Sequence, residues 1–398
     1  MRESNNVRWP LMKDTMTWGD RLALAKFSLM SNQFTQGPKV EEFEAAWSKW
    51  LGAEHSLFVS SGSTANFLLI ASVMEHYGLK PGDKVLLPAC TWVTNINPIF
   101  QLGLTPIFCD INIIDFSFDL ENFKHIAHHH PDIKIVFTTH LLGFAAPVHK
   151  YKEILPNAIF LDDVCESHGC KDIEGKKVGS DSLGATFSFY YGHHMSTIEG
   201  GMISTNNTRL YDLMKMKRSH GLARVSSKFK YYTSLYPNIE ESFLFVSDGY
   251  NFRNTEMAAV LGLRQLKRLD DYISVRQSNH RLFTDMLKKY SNDFYPVQYG
   301  PNNSSFCFPL IAKHRGIKNK LTEELKANSI EYRPIVGGNL LKQPYLKRRD
   351  YNISMPMSID YPNVSCADII HDNGIYIGNN QFVTSKDIEL LDTVLGSI

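Results

Sequence analysis

Ser56-Leu57-Phe58-Val59-Ser60-Ser61-Gly62-Ser63-Thr64-Ala65-Asn66 passes from a short apolar run, through a hydroxyl- and glycine-rich turn, into a helix-like pattern over 67–76. A strand that hands over to a helix in this way starts a βαβ unit. Glycine lets a backbone approach a ligand closely. The first N–H groups of a helix lack internal partners. Together they make an anion site, to which the hydroxyls of Ser61, Ser63 and Thr64 add donors. On its own the turn reads equally as an N-cap by Ser63 or Thr64. It is neither a Walker loop nor G-x-G-x-x-G.

Further apolar runs repeat the pattern. Strands are expected over 84–87, ending at Pro88, over 105–111 and over 133–139. The run 158–161 leads into Asp162 and Asp163, and 186–190 and 202–204 complete the set. Short runs separated by helical patterns indicate α/β architecture with a mostly parallel, mixed sheet. From 255 to about 290 the pattern is one long amphipathic helix bridging two domains. After it come a strand (306–311), a helix (321–328), a strand near 375–377 and a final helix (386–395). The expected division is an arm and large domain over 1–254, then the bridging helix and a small C-terminal α+β domain over 255–398.

With 398 residues, 43% hydrophobic and 21% charged, the composition is that of a globular enzyme. It excludes a disordered chain, a collagen and a small disulfide scaffold. Lys+Arg is 42 against Asp+Glu 41, so no electrostatic footprint for nucleic acid or an anionic membrane is expected. No apolar stretch reaches the ~20 residues of a bilayer span. Met1-Arg2-Glu3-Ser4-Asn5-Asn6 has no apolar core of a signal peptide. Six cysteines without a C-x-x-C pair suggest a reduced, cytoplasmic protein. Cys165 and Cys170 lack zinc-site spacing, and His128-His129-His130, before Pro131, reads as a solvated loop rather than a metal site.

Asp163 ends an apolar strand, where ligands bind in open α/β sheets. A carboxylate there can hold a protonated pyridine nitrogen, as a pyridoxal electron sink requires, or cap a helix. Trp92, in Pro88-Ala89-Cys90-Thr91-Trp92, can stack on a planar ring or fill core space.

In order along the chain come Phe34-Thr35-Gln36-Gly37-Pro38-Lys39-Val40, Ser60-Ser61-Gly62-Ser63-Thr64-Ala65-Asn66, Trp92, Asp163 with Glu166-Ser167-His168-Gly169, Thr186-Phe187-Ser188-Phe189, Glu199-Gly200-Gly201, Arg218-Ser219-His220-Gly221 and Tyr250-Asn251-Phe252-Arg253. This ordered set resembles the pyridoxal-phosphate-dependent nucleotide-sugar aminotransferase family, which has the aspartate-aminotransferase fold. The resemblance covers nearly the whole chain. It implies that the Gly62 and Ser63 amides and the Ser188 hydroxyl hold the cofactor phosphate. Asp163 would pair with the pyridine nitrogen, and Trp92 would stack on the ring. Glu166 stands where most members carry Gln. Asn251 would reach the phosphate of the neighbouring subunit, implying a homodimer with shared active sites. His220, Arg253 and Arg333 are substrate-pocket candidates, with structural hydrogen bonding as their alternative role.

One departure decides the chemistry. The family pattern places its cofactor-anchoring lysine six residues before the acid of the Glu-Gly-Gly turn; here that position is His193, in Tyr191-Gly192-His193-His194-Met195-Ser196-Thr197-Ile198-Glu199. No lysine occurs from Val178 to Met214. Imidazole cannot form the covalent anchor that an amine forms, but it moves protons near neutral pH. The replacement resembles that of the 3-dehydratases of nucleotide-linked 4-keto-6-deoxy sugars, a GDP-linked sugar being the form the resemblance favours. By that likeness L-glutamate converts pyridoxal phosphate to pyridoxamine phosphate, and the sugar ketone condenses with it. His193 then works as acid and base while the C3 hydroxyl leaves. Three rivals remain at this stage. One is a sugar aminotransferase. Another is an iron–sulfur-dependent 3-dehydrase, which needs four grouped cysteines. The third is an inactive sugar-binding homologue.

Overall fold

The computed structural model describes residues 7–298, 300–347 and 365–398; the stretch 1–6, read above for a signal peptide, lies outside them. Two sheets organise the chain. The larger has seven strands: β1 (His55–Val59), β2 (Lys84–Pro88), β3 (Thr105–Cys109), β4 (Ile135–Thr139), β5 (Ile159–Asp163), β6 (Gly184–Ser188) and β7 (Gly201–Thr205). Their order across the sheet is β1-β7-β6-β5-β4-β2-β3. Only β7 runs against its neighbours β6 and β1; the other pairs are parallel. Helices cover both faces, so the strands are buried on both sides and read as continuous apolar runs. The architecture is the expected α/β one.

Parallel strands put their carboxyl ends on one edge. The turns after β1, β2, β4, β5 and β6 therefore all open there, and β7 begins there, since Gly201 pairs with both Val59 and Ser188. Gly201 is required: a Cβ would sit 2.2 Å from the Ser61 carbonyl oxygen. Beneath this edge Phe43, Trp47, Phe58, Phe187 and Phe189 interlock, with Trp47 and Phe189 centroids 4.9 Å apart. Burying each such side chain stabilises the fold by roughly 1.5–3 kcal/mol.

The helix Glu256–Leu287 runs 32 residues from the large sheet to a second one. That sheet is wholly antiparallel, in the order β8 (Cys307–Ile311), β10 (Gly374–Gly378), β9 (Tyr332–Pro334). The chain start also reaches it. Trp9, 2% exposed, donates from Nε1 to the Gly378 carbonyl at 2.9 Å and bridges to Ile330.

Several expected boundaries move. The helix over 67–76 begins instead at Gly62, because Ser61 and Thr64 form a capping box ahead of the apolar face. The helix over 321–328 is Arg315–Ala327; its first turns are polar, and only Leu321 and Leu325 are buried. The strand over 186–190 ends at Ser188, whose carbonyl accepts from a histidine ring rather than from a neighbouring strand. The His128-His129-His130 tract is not a loop. His128 and His129 close the helix Leu120–His129, where imidazoles face the negative helix end. The helices Trp18–Met30, Pro38–Leu51 and Thr208–Arg218 had no counterpart in the sequence reading.

Candidate active site

At the mouth of the β1 turn, the Ser61 amide donates to Thr64 Oγ1 (3.0 Å) and the Thr64 amide to Ser61 Oγ (3.1 Å). Among the described residues the cap leaves the Gly62 and Ser63 N–H groups without a partner, pointing out of the helix start. Ser188 closes over them from β6: a Cβ on Gly62 would lie 2.7 Å from Ser188 Cβ and 3.1 Å from Cys165 Sγ. Glycine, two free amides and a neighbouring hydroxyl form a phosphate-sized cradle.

Asp163 sits at the end of β5, 4% exposed. Its Oδ2 accepts from Asn66 (2.9 Å) and Asn95 (2.8 Å), and its Oδ1 from the Cys165 amide (2.9 Å). Thr186 in turn donates to Asn66 Oδ1 at 2.6 Å and fixes which way that amide faces. Among the described residues no side chain forms an ion pair with Asp163. A buried carboxylate held by neutral donors calls for a cation, and a protonated pyridine ring supplies one. Trp92 caps the turn Val93–Asn95, which delivers Asn95 to Asp163, and is 52% exposed. The residues thus fit a phosphorylated pyridine, with the Gly62–Ser63 amides at one end and Asp163 at the other.

Glu166 follows on the same loop. Burial and the Asp163 charge push its carboxyl up to about 7, against the opposing Leu142 amide. That amide donates to Glu166 Oε2 at 3.2 Å from a residue in the left-handed region (Leu142, φ 54). Strain of this kind is stored where a site needs it.

His193 is anchored by its ring. Nδ1 lies 2.9 Å from the Ser188 carbonyl, which only accepts, so Nδ1 carries the proton and Nε2 the lone pair. Burial pulls the imidazole down to about 4, opposed by the Ser188 contact, so it is neutral at physiological pH. A neutral ring with a free nitrogen is a base. His194 turns the other way, its buried Nε2 donating to the Ser304 carbonyl at 3.0 Å. His168 packs near both rings, fully buried, and among the described residues neither of its ring nitrogens is bonded.

Gly62, Ser63, Asp163, Glu166, Ser188 and His193 thus gather at the carboxyl edge of one sheet. The remaining candidates frame it. Asn251 is exposed and bridges Ser219, while Arg253 bridges Val59 beside the cradle. His220 is exposed with φ 65, a strained value for a non-glycine residue. Arg333 comes from β9 in the second sheet. The sequence reading gave no role to Asn66 or Asn95, which hold Asp163. Their signal was weak: an Asn at the fifth position of a helix and an Asn three residues after Trp92. Among the described residues no group of three or more His, Cys, Asp or Glu could hold a metal ion.

Comparison with known proteins gives a consistent picture. Residues 19–367 match the model of the DegT/DnrJ/EryC1/StrS aminotransferase family. The chain is 36% identical over 400 residues to a GDP-4-keto-6-deoxy-D-mannose 3-dehydratase of Escherichia coli O55:H7, covering 98% of this chain and all of that one. A solved GDP-4-keto-6-deoxymannose-3-dehydratase mutant with bound GDP-perosamine superposes with TM-score 0.87 at 34% identity, covering 97% of this chain and 100% of that one. Another structure of such an enzyme, with a trapped PLP–glutamate geminal diamine, matches with the same TM-score, identity and coverage.

Proposed function

Since the chain belongs to the DegT/DnrJ/EryC1/StrS aminotransferase family, we propose that it removes the C3 hydroxyl of a nucleotide-linked 4-keto-6-deoxy sugar, with GDP-4-keto-6-deoxy-D-mannose as substrate and L-glutamate as amino donor. It is a pyridoxal-phosphate-dependent lyase. The observation that carries the reading is His193: a neutral imidazole, oriented by Ser188, at the place of the family's lysine.

The cofactor supplies an amine for the sugar ketone and a ring that stores an electron pair. The chain's own residues do the rest. Gly62, Ser63 and Ser188 bind the phosphate. Asp163, steadied by Asn66 and Asn95, keeps the ring nitrogen protonated. Trp92 covers one face of the ring. His193 Nε2 takes a proton at the carbon bearing the cofactor amine and returns one to the departing C3 hydroxyl; such positioned acid–base help is worth about 10²–10⁴-fold. With no lysine at this place, no local amine displaces the product, and water releases a 4-keto-3,6-dideoxy sugar and ammonia. The electrons come from L-glutamate, which leaves as 2-oxoglutarate.

The working unit is a homodimer in which Asn251 of the partner subunit completes the phosphate site. Supporting this, Trp18, Leu22 and Leu29 on the helix Trp18–Met30 are 80%, 66% and 87% exposed, and Phe243 is 65% exposed. His220 and Arg253 line the sugar pocket. Residues 1–254 act as arm and cofactor domain, and 255–398 as bridging helix and small domain. No helix among the described residues is long and apolar enough to cross a membrane; we place the enzyme in the cytoplasm, in lipopolysaccharide sugar synthesis of the colitose type.

The test is incubation with pyridoxal phosphate, L-glutamate and a panel of nucleotide-linked 4-keto-6-deoxy sugars, read by mass spectrometry. A product lighter by one oxygen, together with 2-oxoglutarate, is expected from the GDP sugar. An amino sugar as product, or turnover without L-glutamate, refutes the reading.

A further inference from the structure

We propose that His125 and His129, on the exposed face of the helix Leu120–His129, form a chelating site for a divalent transition-metal ion, with water filling the remaining positions. The site stands apart from the sugar chemistry and gives a use to a histidine cluster that the catalytic residues leave idle.

The run His125-Ile126-Ala127-His128-His129 ends the helix. Phe123, Ile126 and Ala127 are its buried face, which leaves His125, His128 and His129 exposed. Residues four apart on a helix are neighbours, and the same H-x-x-x-H spacing carries the two zinc-binding histidines of helical metal sites. Here the two rings lie together, their centroids 4.3 Å apart. His129 Nδ1 is 2.8 Å from the His125 carbonyl oxygen. A carbonyl only accepts, so Nδ1 carries the proton and Nε2 keeps its lone pair. A backbone carbonyl that holds the far N–H of an imidazole in this way orients the ring as a metal ligand.

The surroundings admit a cation. The carboxyl end of the helix adds its partial negative charge. The two ammonium groups nearby are already paired, Lys124 with Glu121 and Lys84 with Asp132, each at 2.8 Å. His130 is engaged elsewhere, its Nδ1 3.3 Å from Lys84 Nζ. His128 meets His129 edge-on, with centroids 5.2 Å apart, rather than alongside it. A pair of imidazoles suits copper, nickel and zinc, with Cu²⁺ held most tightly; Mg²⁺ and Ca²⁺, which seek oxygen, are not held. The helix leads into β4 at the amino edge of the large sheet, where His130 meets Lys84, the first residue of β2. His193 shares its cleft with Leu11 and Met12 of the arm at the opposite, carboxyl edge. The ion therefore binds away from the cofactor.

The holoenzyme, without an affinity tag, is titrated with Cu²⁺ and with Ni²⁺ by calorimetry, with Mg²⁺ as control, and the copper complex is read by electron paramagnetic resonance. The expected result is one chelated ion per chain, tighter for Cu²⁺ than for Ni²⁺, with couplings from two imidazole nitrogens. His125→Ala and His129→Ala should each weaken it roughly tenfold or more, because a chelate loses its second ligand. His128→Ala should bind as the wild type does. All three variants should keep the wild-type pyridoxal phosphate spectrum and the wild-type absorbance change with L-glutamate, since none of these residues reaches the catalytic edge. Folded His125→Ala and His129→Ala proteins that take up both ions as tightly as the wild type overturn the site. So does a loss in His128→Ala equal to theirs, or a wild-type protein that binds neither ion.

Discussion

At the scale of single residues, the replacement of an amine by an imidazole separates this chain from sugar aminotransferases. His193→Lys should abolish deoxygenation, because the side chain gains a covalent hold on pyridoxal phosphate and loses the free Nε2. Dehydratase turnover surviving in that variant, or cofactor absorbance showing no lysine-linked species, would contradict the role of His193. Glu166 is the second residue to probe. With its carboxyl pushed up to about 7, it is neutral below that pH and charged above it. The bound cofactor's absorbance should titrate near pH 7 in the wild type and lose that step in Glu166→Gln, which mimics the neutral form at every pH. A wild-type spectrum flat between about pH 5 and 9 speaks against it. His193 was legible in the sequence because its spacing from Glu199 is local. Asn66 and Asn95 were not, since Asp163, which both hold, is 97 and 68 positions away. Only the fold brings such residues together, and nothing in local spacing marks them.

At the scale of elements, the β1 turn and the helix Gly62–Tyr77 form a single device. Its two free amides are useful only because β6 passes close enough for Ser188 to join them, and Gly62 permits that approach. Gly62→Ala would force a methyl to within 2.7 Å of Ser188 Cβ. The expected outcome is a stability loss of about 1–3 kcal/mol. A tenfold or greater fall in pyridoxal phosphate affinity should accompany it, measured by fluorescence titration; affinity within twofold of wild type would refute the cradle. The strands were readable because parallel, doubly buried strands are continuous apolar runs. Helix starts were not, because caps and polar first turns precede the apolar stripe, as at Ser61 and Arg315.

At the scale of the molecule, buried histidines couple folding to pH. Burial pulls His193 and His280 to about 4 and holds His168 and His194 below the usual imidazole range. An unfolded histidine titrates near 6.5. Between those values the unfolded chain binds more protons, so this stability is present above about pH 6.5 and is lost as the pH falls towards 4. Each such group adds about 1.4 kcal/mol per pH unit inside its window. The midpoint of thermal unfolding should therefore fall steeply from pH 6.5 to 4.5, and His280→Asn should fall less steeply whatever its absolute stability. Equal slopes would rule the coupling out. The two-sheet organisation was legible from the long helical pattern after 255. The return of the arm to the second sheet was not, because Val7-Arg8-Trp9-Pro10-Leu11-Met12 has neither a helical nor a strand periodicity to reveal a partner.

That return has a consequence for biogenesis. Trp9 docks on Gly378, so one wall of the catalytic cleft is made early and seated last. A ribosome must extend the chain from Trp9 to Gly378 before the arm has anything to grip. Until then the cleft stands open on one side, and a growing chain should acquire its chemistry in one late step rather than by degrees.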